Sequence, residues 1–175
     1  MRHLKFVPLV RTAEATSYTL VTTSDLGGKG LDGLVGKKIV SMPAPRLGYA
    51  LLLTLYPNPV SQPNIESGAS SWRDAVEIVF AGEADAAIIP TWLQGTYPNL
   101  IAVKTTRQFP GAAVTAAGSV PEDVRQKVRD ALLKLDSDPT VASLLVELGI
   151  TRFVEASAQE YESSEQVLRD FYGYQ

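Results

Sequence analysis

Residues 70–89, SSWRDAVEIVFAGEADAAII, restrict the architecture more than any other stretch. Ser71 has the hydroxyl of a helix N-cap, Asp74 follows three positions on, and Ala75, Ile78 and Val79 recur at helical spacing. Gly82 stands where a helix ends in a left-handed residue. Three positions later DAAII begins, a short apolar run with the character of a buried strand. A helix that turns so quickly into a buried strand lies against the sheet that the strand joins.

The same alternation extends in both directions. Residues 4–10 and 17–24 read as strands rich in Val, Thr and Tyr, and 37–42 as another. Between them, DLGGKGLDGLVGKK is a glycine-rich loop with one helical turn at 31–35. A helix at 46–56 ends at YPNP, and NIES is a short strand. After the loop PTWLQGTYPN come two more strands, LIAVKT and AAVTAAG. Ser119–Glu122 has the form of a capping box, opening a helix with Val124, Val128, Ala131, Leu132 and Leu135 on one face. Asp138-Pro139 opens a helix carrying Val141, Leu144, Leu145 and Leu148, closed by Gly149. Ser157-x-x-Glu160 opens the last, with Val167, Leu168 and Phe171 inward. The order predicts an α/β fold, a mostly parallel sheet flanked by helices.

The 175 residues suit one average domain, or one large lobe with part of another. A net charge of -3 argues against a nucleic-acid surface. There is no cysteine and one histidine, His3, which excludes thiolate metal sites and leaves little for a Ser-His-Asp triad. Glu77, Glu83, Asp85 and Glu147 lack metal-ligand spacing, Glu160 and Glu162 read as solvated, and GGKG at 27–30 lacks the frame of a P-loop. No catalytic residue, metal or cofactor is expected. The longest apolar run, YALLLTLY, is shorter than the roughly 20 residues that span a bilayer.

Three phrases in fixed order resemble a known family. YTLVTTSDLGGKGLDGLVGKKIVSMPA is similar to the crossover strand, loop and strand that enter the second lobe of type II periplasmic solute-binding proteins. SSWRDAVEIVFAGEADAAII resembles their helix–Gly-x-x-Asp-Ala–strand element. VPEDVRQKVRDALLKLDSDPTVASLLVELGITRFVEASAQEYE resembles their closing helices. The likeness runs over residues 17–172, and its nearest variant is the phosphate/phosphonate-binding subunit of ABC importers. It implies three parts: residues 1–24 as crossover strands and a remnant of the first lobe, 25–118 as the α/β core of the second lobe, and 119–175 as a C-terminal helical return. It also implies that most of a first lobe is missing, so that a second copy of the chain would supply the absent surface in a homodimer.

The resemblance directs attention to the turn after the strand at 37–42, where the family holds an oxyanion with hydroxyls and free N–H groups at a helix N-terminus. Here Pro43 and Gly48-Tyr49 match the ends of that pattern, but its hydroxyl positions read Pro45, Arg46 and Leu47. Arg46 sits at a helix start with no acid beside it, where a cation is disfavoured unless something anionic binds. A guanidinium fork suits a carboxylate or phosphate; the competing reading leaves Arg46 solvated or paired elsewhere. Arg73, in the first turn of the next helix, either converges on the same anion or pairs with Glu77. Asp85 either meets a ligand donor or fixes its loop. Thr91 and Trp92 follow a strand at its C-terminal end, the edge where open α/β sheets bind ligands; Trp92 would stack on a ligand or pack locally. Tyr18, Thr22 and Thr23 lie near the hinge.

The expected ligand-binding set is therefore Arg46, Leu47, Gly48, Arg73, Asp85, Thr91 and Trp92. The expected role is capture of a small anion, such as phosphate, phosphonate or a carboxylate, for an ABC permease. The alternative is a sensor or effector-binding domain, with a sensor kinase as partner. The family resemblance implies a periplasmic location, and no signal peptide is visible in the chain.

Overall fold

The computed structural model describes residues 6–23 and 25–173. His3 and the start of the first expected strand lie outside them. The chain forms two compact units, one of residues 1–16 and 108–163, the other of 17–107 and 164–175. These boundaries follow contact rather than chain order. The stretch expected as one helical return is shared between the units, and residues 1–16 join the unit built mainly from residues after 107.

The second unit holds a five-stranded sheet. Its strands are β2 (Tyr18–Thr22), β3 (Lys38–Val40), β4 (Asn64–Glu66), β5 (Ala86–Pro90) and β6 (Ile101–Thr105), in spatial order β4-β3-β5-β2-β6. The parallel pairing expected from sequence is confined to β4-β3-β5. β2 runs antiparallel to both its neighbours, β5 and β6, so the sheet is mixed. All five residues of β5 are buried, as are Thr19–Thr22 of β2, because helices cover both faces.

On one face lies α1 (Leu47–Thr54), apolar all round, which buries Ala50, Leu51 and Leu52. Leu20, Ile39, Ile88, Leu52 and Tyr56 pack there together with Leu34 of a 3-10 segment, Asp25–Leu34, kinked at Gly30. That segment takes the place of the expected loop. On the other face, α2 (Trp72–Phe80) buries Ala75, Val76 and Val79 against Val21, Val40, Ala87 and Ile89. Ser71 caps α2, its Oγ accepting from the Asp74 amide at 3.0 Å, and Gly82 follows with φ 73. The short α3 (Thr91–Gln94) buries Leu93 in the same cluster.

In the first unit β1 (Phe6–Thr12) is the middle strand, antiparallel to β7 (Ala113–Ala117) and β8 (Phe153–Glu155). α4 (Glu122–Leu132) starts one residue after Pro121, which stands at the N-cap without a side-chain bond, so the Ser119 capping box does not form. The apolar face of α4 is also uncovered: Val124 and Val128 are 40% and 41% exposed. α5 (Pro139–Glu147) starts as expected, with Asp138 Oδ1 accepting from the Thr140 amide at 2.9 Å, but it buries Leu145 and leaves Leu144 and Leu148 exposed. Periodicity marks an apolar face, while the extent of the neighbouring surface decides its burial, and a three-stranded sheet covers little. Glu160, expected to be solvated, accepts from Arg11 Nε at 3.0 Å and from the Ser157 amide at 2.8 Å. The Ser157 amide bond heads a 3-10 turn, Ala158–Tyr161, before α6 (Glu162–Tyr172) begins. In the second unit Phe171 of α6 meets the Tyr49 ring edge-on, with centroids 5.8 Å apart.

Two stability predictions follow from these contacts. Ser71→Ala removes the cap of α2 and costs about 1 kcal/mol, read as a lower melting temperature, whereas Ser71→Asp retains a capping oxygen and most of the stability. Burial, then the charge of Asp32, pushes the Tyr56 hydroxyl up from 10.0 to about 12. Since the folded state favours the neutral phenol, its contribution is complete below about pH 10 and is lost as pH rises through about 12. Tyr56→Phe should flatten that part of the alkaline fall in stability; identical alkaline melting profiles for the two proteins would refute the assignment.

Candidate functional site: the C-terminal edge of the five-stranded sheet

The chain leaves β3 through Ser41, whose amide donates to the Glu66 carbonyl at 2.8 Å, tying this exit to β4. Residues 43–46 are exposed. Arg46 is the N-cap of α1, extended at φ -93 and ψ 142, with no side-chain capping bond and no acid in the first turn. The first helical bond runs from the Ala50 amide to the Arg46 carbonyl at 3.2 Å. The amides of Leu47, Gly48 and Tyr49 therefore have no acceptor within the helix. The two prolines at 43 and 45 carry no N–H of their own.

Gly48 is buried beneath two aromatic rings. A Cβ placed there would stand 2.9 Å from the Tyr18 ring and 3.0 Å from that of Trp72. Those rings meet each other with centroids 5.7 Å apart and planes tilted by 59°. The first residue of β2, the first turn of α1 and the first residue of α2 thus come together, and only glycine fits between them. Burial raises the pKa of the Tyr18 hydroxyl, and the positive charge of Arg46 draws it partly back. Neither Arg46 nor Arg73 has an ion pair among the described residues, and the helical pair expected between Arg73 and Glu77 is not formed. Arg73 is exposed, one residue beyond Trp72 in the first turn of α2.

Thr91 and Trp92 stand at the same sheet edge, just past the end of β5. The Thr91 amide donates to the Ser17 carbonyl at 2.8 Å, and its hydroxyl accepts from Ser17 Oγ at 2.9 Å. Trp92 is 61% exposed.

Asp85 does not join this group. It precedes β5, at the opposite edge of the sheet, where its Oδ2 accepts from the Lys38 amide at 2.9 Å and its Oδ1 lies 4.0 Å from Lys37 Nζ. Thr22 is also there, donating to the Asp85 carbonyl at 2.7 Å. Both residues pin β2, β3 and β5 together. A cavity of about 310 Å3, lined by Leu53, Tyr56, Gln62, Val167, Asp170 and Phe171 among others, contains none of the expected ligand residues. Sequence reasoning passed over Trp72, read only as part of a helix start, and the hydroxyls of Ser17, Thr19 and Thr105. The clusters SYT and KTTR at the strand ends were the available signal.

A family model described as ABC transporter, phosphonate, periplasmic substrate-binding protein matches residues 2–161. Among solved structures, PhnD1 from Prochlorococcus marinus in complex with methylphosphonate superposes with a TM-score of 0.75 at 16% identity, over 97% of this chain and 72% of that one. A Xanthomonas citri protein bound to ATP gives 0.74 at 17% identity, over 95% of this chain and 73% of that one. The binding-protein component of an ABC phosphonate transporter from Pseudomonas aeruginosa gives 0.71 at 16% identity, over 93% and 61%. At such identities these structures establish the fold, that of type II periplasmic binding proteins. No curated protein sequence matches the chain. Among the described residues no helix is long and apolar enough to cross a membrane. The match of that family model over residues 2–161, nearly the whole chain, makes this chain a member of the family of periplasmic substrate-binding proteins of ABC phosphonate transporters.

Proposed function

We propose that the chain captures a small anion, a phosphonate or a related oxyanion or carboxylate, at the C-terminal edge of the five-stranded sheet, and delivers it to an ABC permease. The observation that carries this reading is the first turn of α1: three amides without helical acceptors, an adjacent guanidinium and no acid to neutralise it. The positive end of the helix dipole and Arg46 repel each other, and a bound anion relieves both at once. Capture is an equilibrium with no covalent step.

The chain departs from the family's hydroxyl-rich turn at Pro45, Arg46 and Leu47. In this reading Arg46 supplies two parallel N–H donors where the family uses hydroxyls. Tyr18 and Trp72 close one side of the helix start with apolar surface, which lowers the local dielectric and strengthens the charge interaction. Arg73 adds positive potential from α2, and Trp92 offers a ring to the organic part of the ligand.

Calorimetric titration with methylphosphonate, inorganic phosphate, sulfate and small carboxylates tests the reading. At least one of these should bind, and a matching thermal-shift series should show the melting temperature climbing with its concentration. Arg46→Ala should weaken the best ligand by about tenfold or more, as expected for a charge-assisted contact. Unchanged affinity in that variant would remove Arg46 from the site. Gly48→Ala should also bind more weakly, because a Cβ at 2.9 Å forces the Tyr18 and Trp72 rings off the helix start.

A further inference from the structure

The start of β2, the end of β6 and the residue after β5 carry a row of hydroxyls that the reading above leaves unused. Ser17 Oγ donates to Thr91 Oγ1 at 2.9 Å. Thr91 Oγ1 lies 2.8 Å from Thr19 Oγ1, and Thr19 Oγ1 lies 3.0 Å from Thr105 Oγ1. Thr19 is 0% exposed, Thr91 is half-buried and Thr105 is exposed. The neighbouring Thr106 hydroxyl is committed elsewhere, accepting from the Tyr18 amide at 3.0 Å and donating to the Arg107 carbonyl at 3.0 Å.

Counting hydrogens restricts what this row can do. Each hydroxyl owns one hydrogen, so one more is present than the three contacts use. That of Ser17 is given to Thr91. Thr19 is closed off from water, so it donates to one neighbour and accepts from the other. Two arrangements remain. In the first, Thr91 donates to Thr19 and Thr19 to Thr105, and the spare hydrogen goes to water at exposed Thr105. In the second, Thr105 donates to Thr19 and Thr19 to Thr91. Thr91 then accepts two hydrogen bonds and has its own hydrogen free at the edge where the ligand is proposed to sit. An anion beside Thr91 selects the second arrangement, and each bond in the row polarises the next.

We infer that Thr91 is a ligand-facing donor and that Thr19 is its positioning residue, a buried hydroxyl whose two orientations let the row turn toward an anion. This rests on the anion-capture reading above and adds a contact from the sheet to those from α1. It also gives a role to a fully buried threonine at a position where valine would pack as well.

The test is calorimetric titration of the full chain with methylphosphonate and inorganic phosphate as probes. Thr91→Val and Thr19→Val should each weaken binding by about tenfold or more, the usual effect of losing a hydrogen bond to a charged group. Thr19→Ser should recover most of that loss, since it restores the hydroxyl. Melting curves check that the variants fold. A folded Thr19→Val that binds like the unaltered protein overturns the inference, and so does a Thr19→Ser as weak as Thr19→Val. If Thr19→Val does not fold, the comparison of Thr91→Val with Thr91→Ser decides in the same way. Weak binding in Arg46→Ala with full binding in Thr91→Val leaves anion capture standing and removes only this inference. The opposite pattern removes Arg46 and keeps Thr91, while no binding of either probe to the unaltered protein removes both.

Discussion

The arrangement of the candidate site depends on β2 lying between β5 and β6. Tyr18 to Thr22 pair with Pro90 to Ala86 on one side and Thr19 to Thr22 with Thr105 to Ile101 on the other, both antiparallel. Because β5 runs parallel to β3, the start of β2 arrives at the edge where β3 ends and α1 begins. The direction of one strand thus delivers Ser17, Tyr18 and Thr19 to the edge of the candidate site. The same geometry sends Thr22 to the far edge, where it serves Asp85. Reversing β2 would exchange those roles without changing a residue.

A second constraint is electrostatic. Helix starts ordinarily carry an acid or a capping hydroxyl, as α2 does with Ser71 and Asp74, and α5 with Asp138. In α2 the arrangement goes further, with Asp74 accepting from both the amide and the hydroxyl of Ser70 at 2.7 Å each, which holds its carboxyl below the ordinary range. α1 has neither device and has Arg46 instead. Apolar packing of Ala50, Leu51 and Leu52 holds α1 in place, so its open end is tolerated. A helix anchored by its flank leaves its tip available for binding.

Much of the secondary structure was legible from local chemistry. Ser71, Gly82, Pro139 and Gly149 mark helix ends through bonds and backbone angles that depend on a few adjacent residues, and they behave as expected. The α/β class and the family likeness were legible too, since both rest on the order of such elements. Failures came where a distant surface decides. The apolar stripe of α4 was legible as one helical face, but no residue of that helix is buried. Asp85, at the start of a strand, was weighed as a ligand contact or as a residue that fixes its loop; parallel pairing of β3 and β5 puts it at the edge opposite Thr91 and Trp92.

Sequence alone was enough to establish that this chain builds helices and strands in the order of a periplasmic binding protein, and that Arg46 has no local acid. Those are properties of neighbours along the chain, within reach of one turn or one cap. Folding in three dimensions settled which groups share an edge: Gly48 under Tyr18 and Trp72, and Thr19 between Thr91 and Thr105. These partners are separated by tens of residues, so their meeting depends on strand direction and register, which no short stretch of sequence encodes.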